Sequence, residues 1–277
     1  MSSSRQIAGR WLLNAALVVL GLLMFAPFYW MLLNAVLPER LAFKLPPIWW
    51  PQDLTLDHFG KVFELIPFGM FVVNSLKITA IVTVGVLVTS TLAAYAFARL
   101  QFPGRDVLFI VLLASLMVPG QVTVVPTFIV LRTLGLVDTH EAVYLPQLIN
   151  VLGIFLLRQW FLTLPRELED AARIDGAGHV GILRHVVVPL SGPPLAALAI
   201  FCSQQAWNDF FWPNIMLSSP EKMTLPVGLV YLQGQYGTGS PVVIFAAIAM
   251  VVVPVLILFL AAQRPITQSL ALTGLRG

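Results

Sequence analysis

The residues best placed to do chemistry lie in one short polar stretch, Leu164-Pro-Arg-Glu-Leu-Glu-Asp-Ala-Ala-Arg-Ile-Asp-Gly-Ala-Gly178, which continues to Val186-Val-Val-Pro189. Their types and spacing suit docking rather than bond-making. Pro165 fits the first turn of a helix, and Glu167 and Glu169 favour its positive N-terminal end. Ala171 and Ala172 are strong helix formers with almost no side chain, so another protein's surface can come close. Asp175-Gly176 is a stop signal, because glycine reaches the left-handed conformation that ends many helices. The expectation is two short helices hinged at Gly176, with charges on exposed faces and Pro189 marking entry to the next long helix. A solvated amphipathic connector accounts for the same residues, and physical grounds alone leave both readings open.

Reaction chemistry finds no constellation. There is no Gly-x-x-x-x-Gly-Lys-Ser/Thr loop to cradle a phosphate, so ATP-driven work would need another chain to bind the ATP. His58, His140, His179 and His185 do not pair with cysteine or helix-spaced carboxylates as metal ligands, and the last two read as surface residues of the polar stretch. No nucleophile elbow or pair of catalytic carboxylates is present. Cys202, the one cysteine, sits in an apolar run and reads as a small packing residue. The expectation is therefore no catalytic residue, no cofactor and no metal held by this chain. No basic tract of the nucleic-acid-binding kind appears.

Polar side chains inside apolar runs are the other candidates, because a charge at the centre of a bilayer costs about 2.5–3.5 kcal/mol on insertion scales. Lys77 reads as snorkelling to an interface. Trp207, Asn208, Asp209 and Trp212 combine stacking rings with hydroxyl-matching groups, which suits a solute gate. An interfacial aromatic belt with helix capping explains them equally well. Asn74 and Gln121 are further pathway candidates, for which interhelical hydrogen bonding is the competing role.

The elements that must carry these residues are membrane helices. Of 277 residues, 58% are hydrophobic and only 10% charged, against about 25% charged in soluble domains. Six segments, at about 12–36, 70–98, 107–131, 142–163, 192–217 and 241–262, approach the ~20 residues needed to span the bilayer as helix. Arg5 and Arg10 precede the first, but its apolar run is about twice the length of a cleavable signal, so it reads as a retained helix. Pro119-Gly120 and Pro126 should bend the third. Arg5, Arg10, Arg99, Arg105, Arg158, Arg166, Arg173, Arg184, Arg264 and Arg276 fall on one set of connections; only Arg40, Lys44, Lys61, Arg132 and Lys222 fall on the other. The positive-inside rule then places both termini and the polar stretch in the cytoplasm. The external stretch from about 37 to 69 carries Pro38, Pro46, Pro47, Trp49, Trp50 and Pro51, whose aromatics suit the membrane interface.

The polar stretch resembles the signature loop of binding-protein-dependent ABC importer permeases: Glu-Ala-Ala, three residues, Gly, nine residues, Ile-x-Leu-Pro. Asp170-Ala171-Ala172, Gly176, Val186, Val188 and Pro189 take those places, with Asp for Glu and Val for Ile and Leu. The resemblance extends to the sugar-importer branch through Asn74-Ser75, Ala93 to Arg99, Phe102 to Arg105, Pro119 to Val122, Trp207 to Phe210, Trp212-Pro213, Gln263-Arg264 and Thr273 to Gly277. It implies an all-α membrane protein of type I ABC importer permease fold, with six helices and both termini inside a prokaryotic cytoplasmic membrane. Its parts would be residues 1–69 with the first helix and external loop, a core at 70–262 with the coupling loop at 164–191, and a cytoplasmic tail at 263–277. The partners implied are a second homologous permease, two ATPase subunits carrying ATP and Mg, and an external solute-binding protein. Glu169, Asp170, Ala171, Ala172, Asp175, Gly176, Val186 and Pro189 would couple to the ATPase, and Leu275, Arg276 and Gly277 would touch it from the tail. A disaccharide, an oligosaccharide or a glycerol-phosphate compound would fit as solute. The other classes are an ion-coupled transporter, which usually shows internal repeats and midplane charges, and a non-transport membrane scaffold.

Overall fold

Backbone polar groups surrounded by hydrocarbon must be satisfied within their own segment, and helix is how a single segment does it. The computed structural model describes residues 2–50, 53–235, 240–254, 256 and 257, and among them every regular element is helical. In chain order these are α1 (Ser2–Val36), α2 (Asp57–Leu65), α3 (Phe68–Arg99), α4 (Arg105–Ala114), α5 (Val124–Thr133), α6 (His140–Tyr144), α7 (Val151–Thr163), α8 (Glu167–Ile174), α9 (His179–Ile182), α10 (Val188–Leu190), α11 (Gly192–Trp207), α12 (Phe211–Met216) and α13 (Leu225–Gln235). A last apolar helix, α14, covers Pro241–Pro254.

Three helical paths are long and apolar enough to cross a membrane: Arg10–Val36, Phe68–Arg99 and His140–Thr163, with mean hydropathies of 2.2, 2.0 and 1.3. A fourth arises if His179–Leu190 and Gly192–Trp207, bent by 82° at Ser191, count as one. The third expected segment, 107–131, is instead two ten-residue helices, α4 and α5, around a break. Pro119 and Gly120 fall in that break, where the missing proline donor and the unrestrained glycine both oppose helix. The fifth expected segment, 192–217, ends its first helix at Trp207 and resumes at Phe211. Of the sixth, 241–262, the described part is α14, and residues 258–262 lie outside the described residues.

The described residues pack as two units, one from 2–68 with 229–254 and one centred on 69–228. In the first, Trp30, Phe43 and Phe245 form an aromatic cluster with centroids 5.5–5.7 Å apart. The buried His58 bonds through Nε2 to the Leu37 carbonyl at 2.9 Å. In the second, α3 presents Ile78, Val82, Val86, Ser90, Ala94 and Ala98, all buried. Their spacing of four is the ridge that interdigitates with neighbouring helices. Gly153 of α7 is what lets α3 and α11 come close. A Cβ there would meet Ser90 Oγ at 2.9 Å and Leu198 Cδ1 at 3.0 Å, the small-residue contact typical of membrane helices.

Candidate functional site

The polar stretch folds as its composition dictates. Helix α8 carries Glu167, Glu169 and Asp170 in its first turn and Arg173 in its last, complementing the helix dipole at both ends. It stops in a Schellman motif. Gly176 is left-handed at φ +86°, its N–H donates to Arg173 O at 3.0 Å, and Ala177 N–H donates to Ala172 O at 2.9 Å. Helix α9 follows and passes through a π-helical turn, Leu183–Val187, into α10. Buried Ile182, Leu183 and Val187 hold this second arm in the core of the unit; Val186 is half-buried and Pro189 exposed. Asp170, Ala171, Asp175 and Gly176 are exposed, Ala172 half-buried. Ile174 and Val180, either side of the hinge, are 87% and 78% exposed, two large apolar side chains left uncovered on a polar loop. His179 and His185 are exposed, as expected.

One expectation about charge is corrected. Glu169 does not lie on an exposed face. Its Oε1 stands 2.7 Å from Arg99 Nε, and both side chains are only 4% exposed. Neither atom has an aligned hydrogen-bond partner, so the contact is ionic rather than a directed bond. Arg99 also donates to Leu164 O at 2.7 Å. The last residue of α3 thus grips the loop at both the approach to α8 and its first turn. Glu169 Oε2 lies 3.5 Å from Arg173, which also pairs with Asp170. Arg99 belongs to the motif residues read from the sequence, where its one role was in setting orientation. The available signal was its place as the one basic group in the last turn of a long apolar helix.

The opposite end of α3 is also fixed by polar groups. Asn74 Nδ2 donates to Glu221 O and Met223 O at 2.9 and 3.0 Å, and Ser75 Oγ accepts from Leu225 N–H at 2.8 Å. The same 217–225 segment is held by Asp138, which accepts from Ser218 and Ser219 N–H, Ser219 Oγ and Lys222 Nζ. Burial works against the Asp138 charge, but the bonds from Ser219, Ser218 and Lys222 outweigh it and hold the carboxyl well below its ordinary value. Lys77 is exposed, its Nζ 3.4 Å from His140 Nδ1.

The remaining candidates divide. Asn208, Asp209 and Trp212 come together at the break between α11 and α12, where Asp209 accepts from Trp212 N–H at 3.3 Å and Gln147 Nε2 at 3.1 Å. They line a cavity of about 410 Å³ with Gln147, Gln205, Phe210 and Phe211. Trp207 is buried instead, at 5% exposure. Gln121 sits exposed in the α4–α5 break, and Asn74 spends its amide on the loop as described. Gln147, Asn150, Gln204 and Gln205 were not singled out in the sequence. The spacing of Gln204 and Gln205 from Asn208, four and three residues, was the helical signal available for two of them. Leu275, Arg276 and Gly277 lie outside the described residues. Among the described residues no cluster of metal-ligating side chains occurs.

Residues 81–270 match the family model described as binding-protein-dependent transport system inner membrane component. The chain is 35% identical over 270 residues to the arabinooligosaccharides transport system permease protein AraQ of Halalkalibacterium halodurans, covering 96% of each. It is 32% identical over 257 residues to the sn-glycerol-3-phosphate transport system permease protein UgpE of Yersinia pestis, covering 90% of this chain and 91% of the relative. Its structure is similar, with a TM-score of 0.82 and 26% identity, to a chain in the crystal structure of a bacterial ABC transporter involved in import of the acidic polysaccharide alginate, covering 95% and 98% of the two chains.

Proposed function

The chain belongs to the binding-protein-dependent transport system inner membrane components, the permease subunits of ABC importers, and on that premise we propose how it works. It is a multi-pass protein of the cytoplasmic membrane that forms part of the path for an imported solute. The solute class is a sugar or sugar-like compound, a reading supported by relatives named for arabinooligosaccharide and glycerol-phosphate transport. Nothing among those relatives favours an ion-coupled transporter or a scaffold.

In this reading six helices cross the membrane with both termini in the cytoplasm. The core is 70–262, and loop 164–191 docks on one of two ATPase subunits, which carry the ATP and Mg. A second permease completes the path, and a solute-binding protein delivers from outside. The tail residues Leu275, Arg276 and Gly277 make a further ATPase contact. The observation that carries the docking role is the pair of uncovered apolar side chains, Ile174 and Val180, flanking a hinge whose inner face is pinned by buried Glu169. Apolar anchors at the centre of a patch supply most of an interface's binding energy. Through the Glu169–Arg99 contact, a displacement of the docked loop moves α3. ATP-driven closure of the ATPase pair would thereby shift the permease between inward- and outward-open states.

Ile174→Asp and Val180→Asp change only exposed positions, so insertion and melting temperature should hold. ATPase retention on affinity purification should fall, with uptake falling in proportion. ATPase co-purification unchanged in both variants would remove the docking role from this loop.

A further inference from the structure

Three cavities in the 69–228 unit share a wall. The largest, about 570 Å³, is lined by Asn150, Leu156, Phe201, Gln204, Gln205 and Asn208 among others. The second, about 180 Å³, is lined by Val82, Gln147, Asn150, Cys202 and Gln205 among others. The third is the 410 Å³ cavity at Asp209 and Trp212 already described. Gln205 lines all three.

Two helices are interrupted along this wall. The path from α6 to α7 leaves helical geometry at 148–150, where Asn150 caps α7 by accepting from Gly153 N–H at 2.7 Å. α11 stops at Trp207 and α12 begins at Phe211. The 24-residue path His140–Thr163 is interrupted at 148–150, inside its length, and the 16 residues of α11 reach only about 24 Å at 1.5 Å per residue, short of the ~30 Å apolar core. Non-helical backbone at that depth is tolerated where it is buried in protein or lines a water-filled cavity. Gln204, Gln205 and Asn208 are exposed on this face, where contact with lipid tails would be costly. Among the described residues, the side-chain amides of Gln204 and Gln205 have no protein partner, whereas Asn208 and Gln147 donate to Gln204 O and Val143 O.

We propose that this face is a solute subsite on this subunit, and that it takes an uncharged, hydroxyl-rich unit of a carbohydrate. An amide both donates and accepts, which matches a hydroxyl and not a net charge. Phe210, Phe211 and Trp212 at the rim offer the apolar surface on which a sugar ring rests. Among the described residues lining the three cavities Asp209 is the only charged side chain, so the site repels phosphate, sulfonate and uronate groups. The inference rests on the importer reading, and it separates neutral oligosaccharides from glycerol-phosphate compounds as the solute.

The test uses the assembled importer in proteoliposomes with Cys202→Ser as background. Gln205→Cys and, independently, Asn208→Cys are exposed to membrane-impermeant thiosulfonate reagents, cationic or anionic. Val84→Cys, on an exposed stretch of α3, is the control. The expected result is modification of both cavity positions far faster than the control, with the cationic reagent favoured about tenfold by the charge at the site. Asp209→Asn should abolish that preference. Modification no faster than the control, or charge selectivity indifferent to Asp209→Asn, overturns the proposal. These readouts need neither ATP nor a known solute, so they stand or fall separately from the importer reading, which ATP dependence of uptake tests. In the same vesicles Gln205→Leu should lower uptake of a labelled mixture of neutral arabino-, xylo- and malto-oligosaccharides about tenfold, the loss expected for one good hydrogen bond. An undiminished rate, or uptake confined to sn-glycerol 3-phosphate, overturns the substrate class.

Discussion

Removing one partner of the Arg99–Glu169 pair should unfold the loop's attachment, and removing both should largely restore it. The two side chains are 4% exposed and 2.7 Å apart. A buried pair broken on one side costs about 3–5 kcal/mol, because the surviving charge is left desolvated. The survivors are not equally stranded. Without Glu169, Arg99 keeps the Leu164 carbonyl at 2.7 Å as its acceptor. Without Arg99, Glu169 keeps only Arg173, at 3.5 Å and itself half exposed. Arg99→Met should therefore fall toward the upper end of the range and Glu169→Met toward the lower. For a chain of this size each kcal/mol shifts melting by about 2–4 °C, so the single variants should melt roughly 6–20 °C lower. The double variant Arg99→Met/Glu169→Met should return to within about 1 kcal/mol of the parent, since replacing both charges by apolar groups is often neutral. The assay is melting of the nanodisc-embedded importer, followed by intrinsic fluorescence, alongside ATP hydrolysis and uptake. If the pair transmits force, the double variant is stable and hydrolyses ATP but transports poorly. A double variant less stable than either single, or one both stable and fully coupled, would refute the reasoning.

The other predictions separate crowding, backbone strain and charge. Gly153→Val should destabilise by about 1–3 kcal/mol through overpacking against Ser90 and Leu198, read as lower folded yield in membranes. Gly176→Ala meets nothing within 4 Å, so its cost of roughly 1–2 kcal/mol is the left-handed backbone alone, seen as faster hydrogen exchange at the substituted position and at Ala177. Asp138, at φ +61°, should tolerate Asn better than Ala, since Asn adopts that region more readily and keeps an acceptor; proteolysis of 217–225 reports the difference. Its folded carboxyl titrates below the ordinary value, so the stability it contributes is present above about pH 3.9 and is lost as pH falls through the lower, folded value. Protection of 217–225 should accordingly be flat from neutral pH down to about pH 4.

What the sequence revealed and concealed follows from the range of the interactions. Local signals were readable: the apolar runs of α1 and α3, the acidic first turn of α8 and its glycine stop, whereas Pro119-Gly120, read as a bend, is a full break between α4 and α5. The helix boundary at Ser191 was marked by Pro189 and by Gly192-Pro193-Pro194, but its 82° angle was not readable, because it depends on what Ile182, Leu183 and Val187 pack against. Glu169 was misread as exposed because its partner stands 70 positions earlier, beyond any local pattern. The amide wall was half readable. Gln204, Gln205 and Asn208 share a helix face by spacing, but Gln147 and Asn150 join them only through tertiary packing.

Helix α3 carries polar fastenings at its two extremities, and between them Thr89 and Ser90 donate to the Leu148 and Asn150 carbonyls at 2.6 and 3.5 Å. A strut of 32 residues without an internal proline has no joint at which to absorb a misfit. Lesions at Asn74 or Ser75 should therefore share phenotypes with lesions at Arg99, although about 37 Å of helix separates the two groups at 1.5 Å per residue. Suppressors of a defect at one extremity are to be sought at the other.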